Sequence, residues 1–290
     1  MADKSPDLID ILNLEEIDNL IFRGFTPQGG MGRMYGGQVI AQGLSAAMQT
    51  VEGRVCHSLH AYFLRAGDRA KPVIYHVDVA RDGGSFSSRR VTAVQNGKQI
   101  LNMALSFQVP EKGLDHAVEM PDVPDPESLK SMQEIRQENI HRFPEKYHKM
   151  ILRKRAYEVR PVNPVDLLEP EPTDTPHNVW LKLTQDNVPN DPEHQRLFLA
   201  YMSDITLLDS GLRVHGKSHT QSNMQTASLD HSLWFHADYD VNEWLLYVQN
   251  SPVTAGGRGL NFGHLYTRDG TLVASAVQEG LMRVHDKPRK

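Results

Sequence analysis

Three side chains in the second half of this chain stand out as candidates for chemistry: a carboxylate among apolar neighbours, Asp204, and two polar strand residues, Gln278 and Ser228. Asp204 lies between Tyr201 and Ile205 in a stretch where Leu197, Phe198, Leu199, Leu207 and Leu208 leave little room for solvent. A carboxylate there is either paired or desolvated, and desolvated carboxylates with shifted pKa values concentrate at functional sites. Gln278 follows the small apolar run Val273-Ala274-Ser275-Ala276-Val277 and precedes Glu279-Gly280, where glycine marks a bulge or a close approach of another group. Ser228 sits midway along Thr226-Ala227-Ser228-Leu229-Asp230. Each also has a structural reading: a carboxylate bonded to backbone, a strand amide completing the sheet, an ordinary strand hydroxyl.

Other constellations are weaker. Asp230, His231 and Ser232 are consecutive, and neighbours on a strand point to opposite faces, so they cannot form a relay. Strict alternation places Ser228 and Asp230 on one face and Leu229 and His231 on the other. No Gly-x-Ser-x-Gly elbow occurs. His215 and His219 are one helical turn apart but flank Gly216 and lack a third ligand, so no metal is expected. Gly30-Met31-Gly32 and Gly257-Arg258-Gly259 lack the third glycine of a dinucleotide loop and read as turns, and no cofactor is expected. Lys146, Lys149, Arg153, Lys154 and Arg155 form a short basic cluster, a solvated face or a seat for phosphates; Arg65, Arg89 and Arg90 are further candidates for the latter.

The elements that must hold these residues occur twice. His60-Ala61-Tyr62-Phe63-Leu64-Arg65-Ala66 returns as His231-Ser232-Leu233-Trp234-Phe235-His236-Ala237, and Gly83-Gly84 with Asn96-Gly97 returns as Gly256-Gly257 with Asp269-Gly270. The offset drifts by only two residues between the two matches, the mark of a duplicated unit. In the first unit, Ser5-Pro6-Asp7 caps a short helix, Ile17 to Phe25 reads as one strand, and Tyr35 to Val51 reads as a helix so rich in glycine, alanine and serine that other elements must approach it closely. Strands follow over 57–64, 73–81, 85–95 and 98–109, the last two joined by an Asn-Gly turn. In the second unit, a helix starts at Asp191-Pro192 and runs to about Asp209 with Asp204 inside it, and strands cover 225–236, 244–250, 259–267 and 271–282. One helix wrapped by an antiparallel sheet, present twice, is an α+β double hot-dog architecture: residues 1–112, a polar linker with one helix over 113–156, and 157–290 carrying the site.

Bulk properties narrow the function classes. With 290 residues, 23% charged and 39% apolar, the chain belongs with globular proteins, and a net charge of −5 disfavours nucleic-acid binding. The single cysteine, Cys56, suits a reducing compartment. The polar start has no signal-peptide character, no apolar run spans a bilayer, and Pro288-Arg289-Lys290 is no peroxisomal address, so a cytoplasmic protein without membrane contact is expected.

Tyr35-Gly36-Gly37-Gln38-Val39, His57 through Arg65, Asp230 through His236 and Val277-Gln278-Glu279-Gly280 together resemble the acyl-CoA thioesterase II family, from about Leu8 to Arg283. The resemblance implies two hot-dog units in one chain, hydrolysis of fatty acyl-CoA to free acid and CoA, and a water held by an Asp, a Thr or Ser, and a Gln, which by motif fall on Asp204, Ser228 and Gln278. The family's bacterial pattern has Thr where Ser228 stands, a departure that keeps the hydroxyl and loses one methyl. The acyl chain is expected in an apolar tunnel between helix and sheet. By fold analogy, a homo-oligomer, dimer or tetramer, is expected. Two other readings remain open at this level: a hot-dog hydratase using a carboxylate with His231 or His60, and an acyl-CoA binder without catalysis, of which the first unit, lacking a carboxylate in its helix, would be a relic.

Overall fold

The computed structural model describes residues 7–26, 33–185 and 188–287. The capping residues Ser5 and Pro6, the Gly30-Met31-Gly32 turn and the last three residues lie outside them. Asp7 caps α1 (Leu8–Leu12) by accepting from the Ile9 N–H. The expected strand over 17–25 is a tight hairpin, β1 (Glu15–Asp18) and β2 (Ile21–Gly24), turned at Leu20 with φ +60°. Then come α2 (Gly36–Met48), β3 (Val55–Phe63), β4 (Val73–Asp82), β5 (Phe86–Gln95) and β6 (Lys98–Gln108), within two residues of the sequence reading at nearly every boundary. Asn96 and Gly97 both take positive φ, as the hairpin turn requires.

The segment between the units holds α3 (Met132–Glu138), started by a Ser131–Glu134 capping box, and a single helical turn, α4 (His148–Ile151). The second unit opens with two strands that the sequence reading missed, β7 (Tyr157–Pro161) and β8 (His177–Leu183). β8 is buried along nearly its whole length and so lacks the alternation that announces a strand. The helix expected over 191–209 is broken into α5 (Pro192–Met202) and α6 (Asp209–Arg213). Likewise, 225–236 is split at Leu229 into β9 (Met224–Ser228) and β10 (Asp230–Phe235), followed by β11 (Leu245–Ala255), β12 (Arg258–Thr267) and β13 (Leu272–Val284). Both units therefore run in the order two strands, helix, sheet.

The two sheets are joined edge to edge in one continuous antiparallel sheet ordered β1-β2-β4-β5-β6-β3-β10-β13-β12-β11-β8-β7. The junction is the duplicated motif itself: His60 pairs with Ser232 and Ala61 with His231. Because His231 is the counterpart of His60 and Ser232 that of Ala61, each of these pairs maps onto the other when the units are exchanged. A local two-fold relation thus runs between β3 and β10. On the outer face of the second unit, Trp180, Trp244, Leu246 and Tyr266 pack with Met120, Val123 and Leu129, so the segment between the units covers that face. Trp180 Nε1 donates to the Pro124 carbonyl at 3.0 Å.

The buried core runs through both units, and α2 and α5 pack against each other within it. The small residues of α2 serve this approach. A Cβ on Gly37 would stand 2.3 Å from the Tyr201 carbonyl oxygen, and one on Gly43 would stand 2.5 Å from the Met103 sulfur. Gly37→Ala is therefore expected to cost about 2 kcal/mol or more, since the atom in the way is backbone that cannot swing aside. Gly43→Ala meets a flexible thioether and is expected to cost less; thermal unfolding of the two variants compares them.

Candidate functional site

Asp204 lies just past the C-terminus of α5, where the sequence reading placed it inside a longer helix. The helix ends where other donors take its last carbonyls: from across the fold Tyr35 Oη bonds the Tyr201 carbonyl and Tyr247 Oη the Ser203 carbonyl, each at 2.8 Å, and locally Ser203 Oγ bonds the Ala200 carbonyl at 3.0 Å. The chain then turns sharply, with Thr206 at φ +63°.

Asp204 Oδ1 accepts from Gln278 Nε2 at 2.6 Å and lies 3.5 Å from Ser228 Oγ, a long contact. Oδ2 accepts from the Gly37 N–H at 2.9 Å. The structure thus brings all three sequence candidates together around one carboxylate and adds a fourth group from the other unit. Gly37 is in the first turn of α2, so the positive end of a 13-residue helix faces the carboxylate. A Cβ on Gly36 would stand 2.7 Å from Oδ2, so glycine at 36 and 37 is what allows the helix end to reach the acid. The Gly-Gly pair was visible in the sequence, but nothing local said what it approached.

Desolvation pushes the Asp204 carboxyl up to about 6, against hydrogen bonds from Gln278, Gly37 and Ser228 that pull it down. The side chain is deep in the fold yet keeps part of its surface open to a cleft of about 720 Å³, walled by Tyr35, Met132, Arg136, Tyr157, Leu167 and Ile205 among others.

Gln278 is fully buried, and its Nε2 also reaches His231 Nδ1 at 3.2 Å. Burial lowers the His231 pKa to about 4, so the ring is neutral at pH 7. With Nδ1 accepting from the amide, the ring proton belongs on Nε2, which lies 2.9 Å from Ser203 Oγ. Ser203 Oγ donates its own hydrogen bond to the Ala200 carbonyl, so each member of this chain has a defined donor role.

The placement of Ser228 and His231 corrects the alternation argument. Ser228 pairs with Gly280, but Ser232 pairs with Val277, a register shift of one residue that marks a bulge at Leu229. The bulge turns Ser228 and His231, assigned by strict alternation to opposite faces, toward the same site. Asp230 holds the bulge, its Oδ1 accepting from the Glu279 N–H at 2.7 Å while the Glu279 carbonyl accepts from Leu229. Ser232 faces the other way and meets His60 Nδ1 at 3.0 Å, so the consecutive Asp-His-Ser run is dispersed as its spacing implies. Gly280 is a close approach: a Cβ there would stand 2.0 Å from Leu208 Cδ2.

The remaining candidates scatter. His215 bonds Thr254 Oγ1, and His219 bonds Asp209 Oδ1 at 3.0 Å. Buried Arg89 is tied to Asp82 and Thr50, and Arg65 to the Gln99 carbonyl. Cys56 is buried, its thiol pushed up to about 12. Among the described residues no helix is long and apolar enough to cross a membrane, and no group of three or more His, Cys, Asp or Glu side chains is placed to hold a metal ion.

Residues 153–281 match the family described as acyl-CoA thioesterase, and residues 26–108 match the acyl-CoA thioesterase N-terminal domain. The chain is 40% identical to acyl-CoA thioesterase 2 of Haemophilus influenzae over 98% of its length and 99% of the relative's. The crystal structure of the acyl-CoA thioesterase II TesB2 from Mycobacterium marinum superposes with a TM-score of 0.78 at 38% identity, covering 98% of this chain and 99% of that one. A hot dog fold protein from Alicyclobacillus acidocaldarius, at 20% identity and a TM-score of 0.73 over 95% and 97% of the two chains, shares the fold. The architecture is the double hot-dog.

Because Asp230 stabilises the bulge that aims Ser228, Asp230→Ala is expected to lower turnover by about tenfold with little change in the amount of folded protein. Asp230→Asn keeps an oxygen acceptor for the Glu279 N–H and is expected to restore most of the loss. Equal turnover in the Ala variant and the wild type would show that the bulge needs no such tie.

Proposed function

The chain belongs to the acyl-CoA thioesterase family, and we propose that it hydrolyses fatty acyl-CoA thioesters with a water held and deprotonated at Asp204. The observation that supports this reading most directly is the convergence of Gln278, Ser228 and the Gly37 N–H on one desolvated carboxylate. A carboxyl raised to about 6 is ionised at neutral pH and basic enough to take a proton from an attacking water. Ser228 and Gln278 are not bases at that pH; their task is to orient the water and the carboxylate.

In the reaction, the water oxygen bonds to the thioester carbonyl carbon while Asp204 takes one proton. The carbonyl oxygen becomes an oxyanion, and the positive end of α2 provides a favourable field for that charge. Collapse breaks the C–S bond and expels the CoA thiolate, whose conjugate thiol has a pKa of roughly 8.5, so a dedicated acid is unnecessary. The proton on Asp204 then passes to the thiolate or to solvent, and the products are free acid and CoA. Neither a covalent intermediate nor a metal enters this scheme.

The hydratase reading needs a histidine beside the carboxylate. His60 lies on the opposite face of the sheet, and Gln278 stands between His231 and Asp204. A neutral, fully buried imidazole already bonded on both nitrogens is not placed to exchange protons with substrate.

Asp204→Asn is expected to fold and to lose at least ~10²-fold in turnover, because shape is kept and the base is removed. Thiol release from an acyl-CoA measures it, and a wild-type rate in this variant would end the assignment. The same assay across pH is expected to show kcat/KM falling as the pH drops through about 6, the pH at which the free enzyme's Asp204 becomes protonated. A rate independent of pH between 5 and 8 would place the base elsewhere.

A further inference from the structure

The cleft that reaches Asp204 is also lined by Arg136, Lys154, Arg155 and His219, an accumulation of cationic groups in a chain of net charge −5. The acidic groups of the same wall are already engaged. Glu134 closes the α3 capping box, Glu158 bonds Arg160 Nε at 2.6 Å, and Asp209 bonds His219. Arg160 itself is committed to Glu158 and to the Pro126 and Leu129 carbonyls.

Arg136 has no such commitment. It projects from the last turn of α3, is half-buried, and makes no hydrogen bond or ion pair among the described residues. It lines the same cleft as Arg155; burial and then that like charge lower the Arg136 pKa, and Asp209, which pulls the other way, is already bound to His219. Arg155, exposed, touches only the Tyr157 hydroxyl at 3.4 Å and lies 6.0 Å from that ring's centre. Asp209 favours the protonated form of His219, which feels both arginines as like charges. A second hollow of about 150 Å³ shares Tyr35, Lys154, Arg155 and Tyr157 with the cleft and adds Arg69 and Arg153.

A basic residue at a helix C-terminus interacts favourably with the helix dipole, which gives Arg136 a local reason to be basic. That does not explain why it lines the same cleft as another arginine. Guanidinium groups that line one cleft with neither in an ion pair among the described residues are unfavourable neighbours until an anion with several oxygens joins them, and their planar forks match phosphate.

We propose that Arg136 and Arg155, with Lys154 and His219 beside them, form a phosphate subsite that holds the nucleotide end of the coenzyme A ester in the same cleft as Asp204. The proposal rests on the acyl-CoA reading above and deepens it. Arg136, Lys154 and Arg155 come from the segment between the units and its junction with β7, and His219 from the second unit, so the arginines that recognise the substrate and the groups that do the chemistry come from different parts of the chain.

The test compares wild type, Arg136→Ala, Arg155→Ala and the double variant on an acyl-CoA, its 3′-dephospho analogue and the matching acyl-pantetheine, which carries no phosphate. Each single variant is expected to raise KM for the acyl-CoA by about tenfold with kcat within about twofold. The preference for acyl-CoA over acyl-pantetheine, as a ratio of kcat/KM, is expected to fall by the same factor. An unchanged ratio would overturn the proposal. If the dephospho ester escapes the effect, the 3′-phosphate is the bound group; if it does not, the diphosphate is. Calorimetric titration with adenosine 3′,5′-bisphosphate needs no turnover: the wild type is expected to bind it and the double variant at least about tenfold more weakly, whereas equal binding would sink the subsite. An absence of thiol release from wild type would instead count against the hydrolase reading, leaving the titration to judge the subsite alone.

Discussion

The contact between the Asp204 carboxylate and the first turn of α2 is the constraint that the rest of the site serves. A carboxylate shut away from water without compensation would take up a proton or unfold its surroundings. Here the compensation is a backbone N–H, the positive end of a helix, a side-chain amide and a distant hydroxyl, enough to leave the group near a pKa of 6. Such a value suits a general base: the group is mostly ionised near neutrality, yet more basic than an exposed aspartate. Two glycines at the helix start and the early end of α5 bring the partners within reach.

This contact spans the two units. The acid, the amide and the hydroxyl come from the second, and the helix end comes from the first. The helix of the first unit, without a carboxylate of its own, supplies the N-terminus that meets Asp204. The joined sheet keeps the helices in register: β3 and β10 pair through the duplicated motif, and the local two-fold relation there fixes how α2 meets α5. The bulge in β9–β10, held by Asp230, re-aims two side chains that a regular strand would have separated, and β3 carries a comparable register shift against β6 between Cys56 and Ser58.

Behind the site, His231 illustrates how a buried titratable group can act through structure. Its low pKa keeps it neutral, and neutrality lets Nδ1 accept from Gln278 while Nε2 donates to Ser203. The amide thereby faces Asp204 with a hydrogen, the orientation a carboxylate requires. Protonation of this ring would give the amide a second donor to face, and burial prevents that at any pH near neutrality.

The sequence by itself determined the repeat, the two central helices and most strands of the sheet, and it singled out the three residues that the fold brings together. It could do so because the repeat preserves motif order, hairpin turns need residues that tolerate positive φ, and an acid among apolar neighbours is conspicuous. Only the tertiary structure decided where α5 stops, since the donors that cap it, Tyr35 and Tyr247, are remote in sequence. It also revealed β7, β8, which is hidden by burial on both faces, and the bulge at Leu229, which depends on pairing with β13. The contact of Gly37 with Asp204 and the placing of Arg136 and Arg155 on one cleft belong to the same class. A side chain's neighbours along the chain set its local conformation, whereas the charges and hydrogen bonds it meets across the fold are set by packing between elements far apart in the sequence.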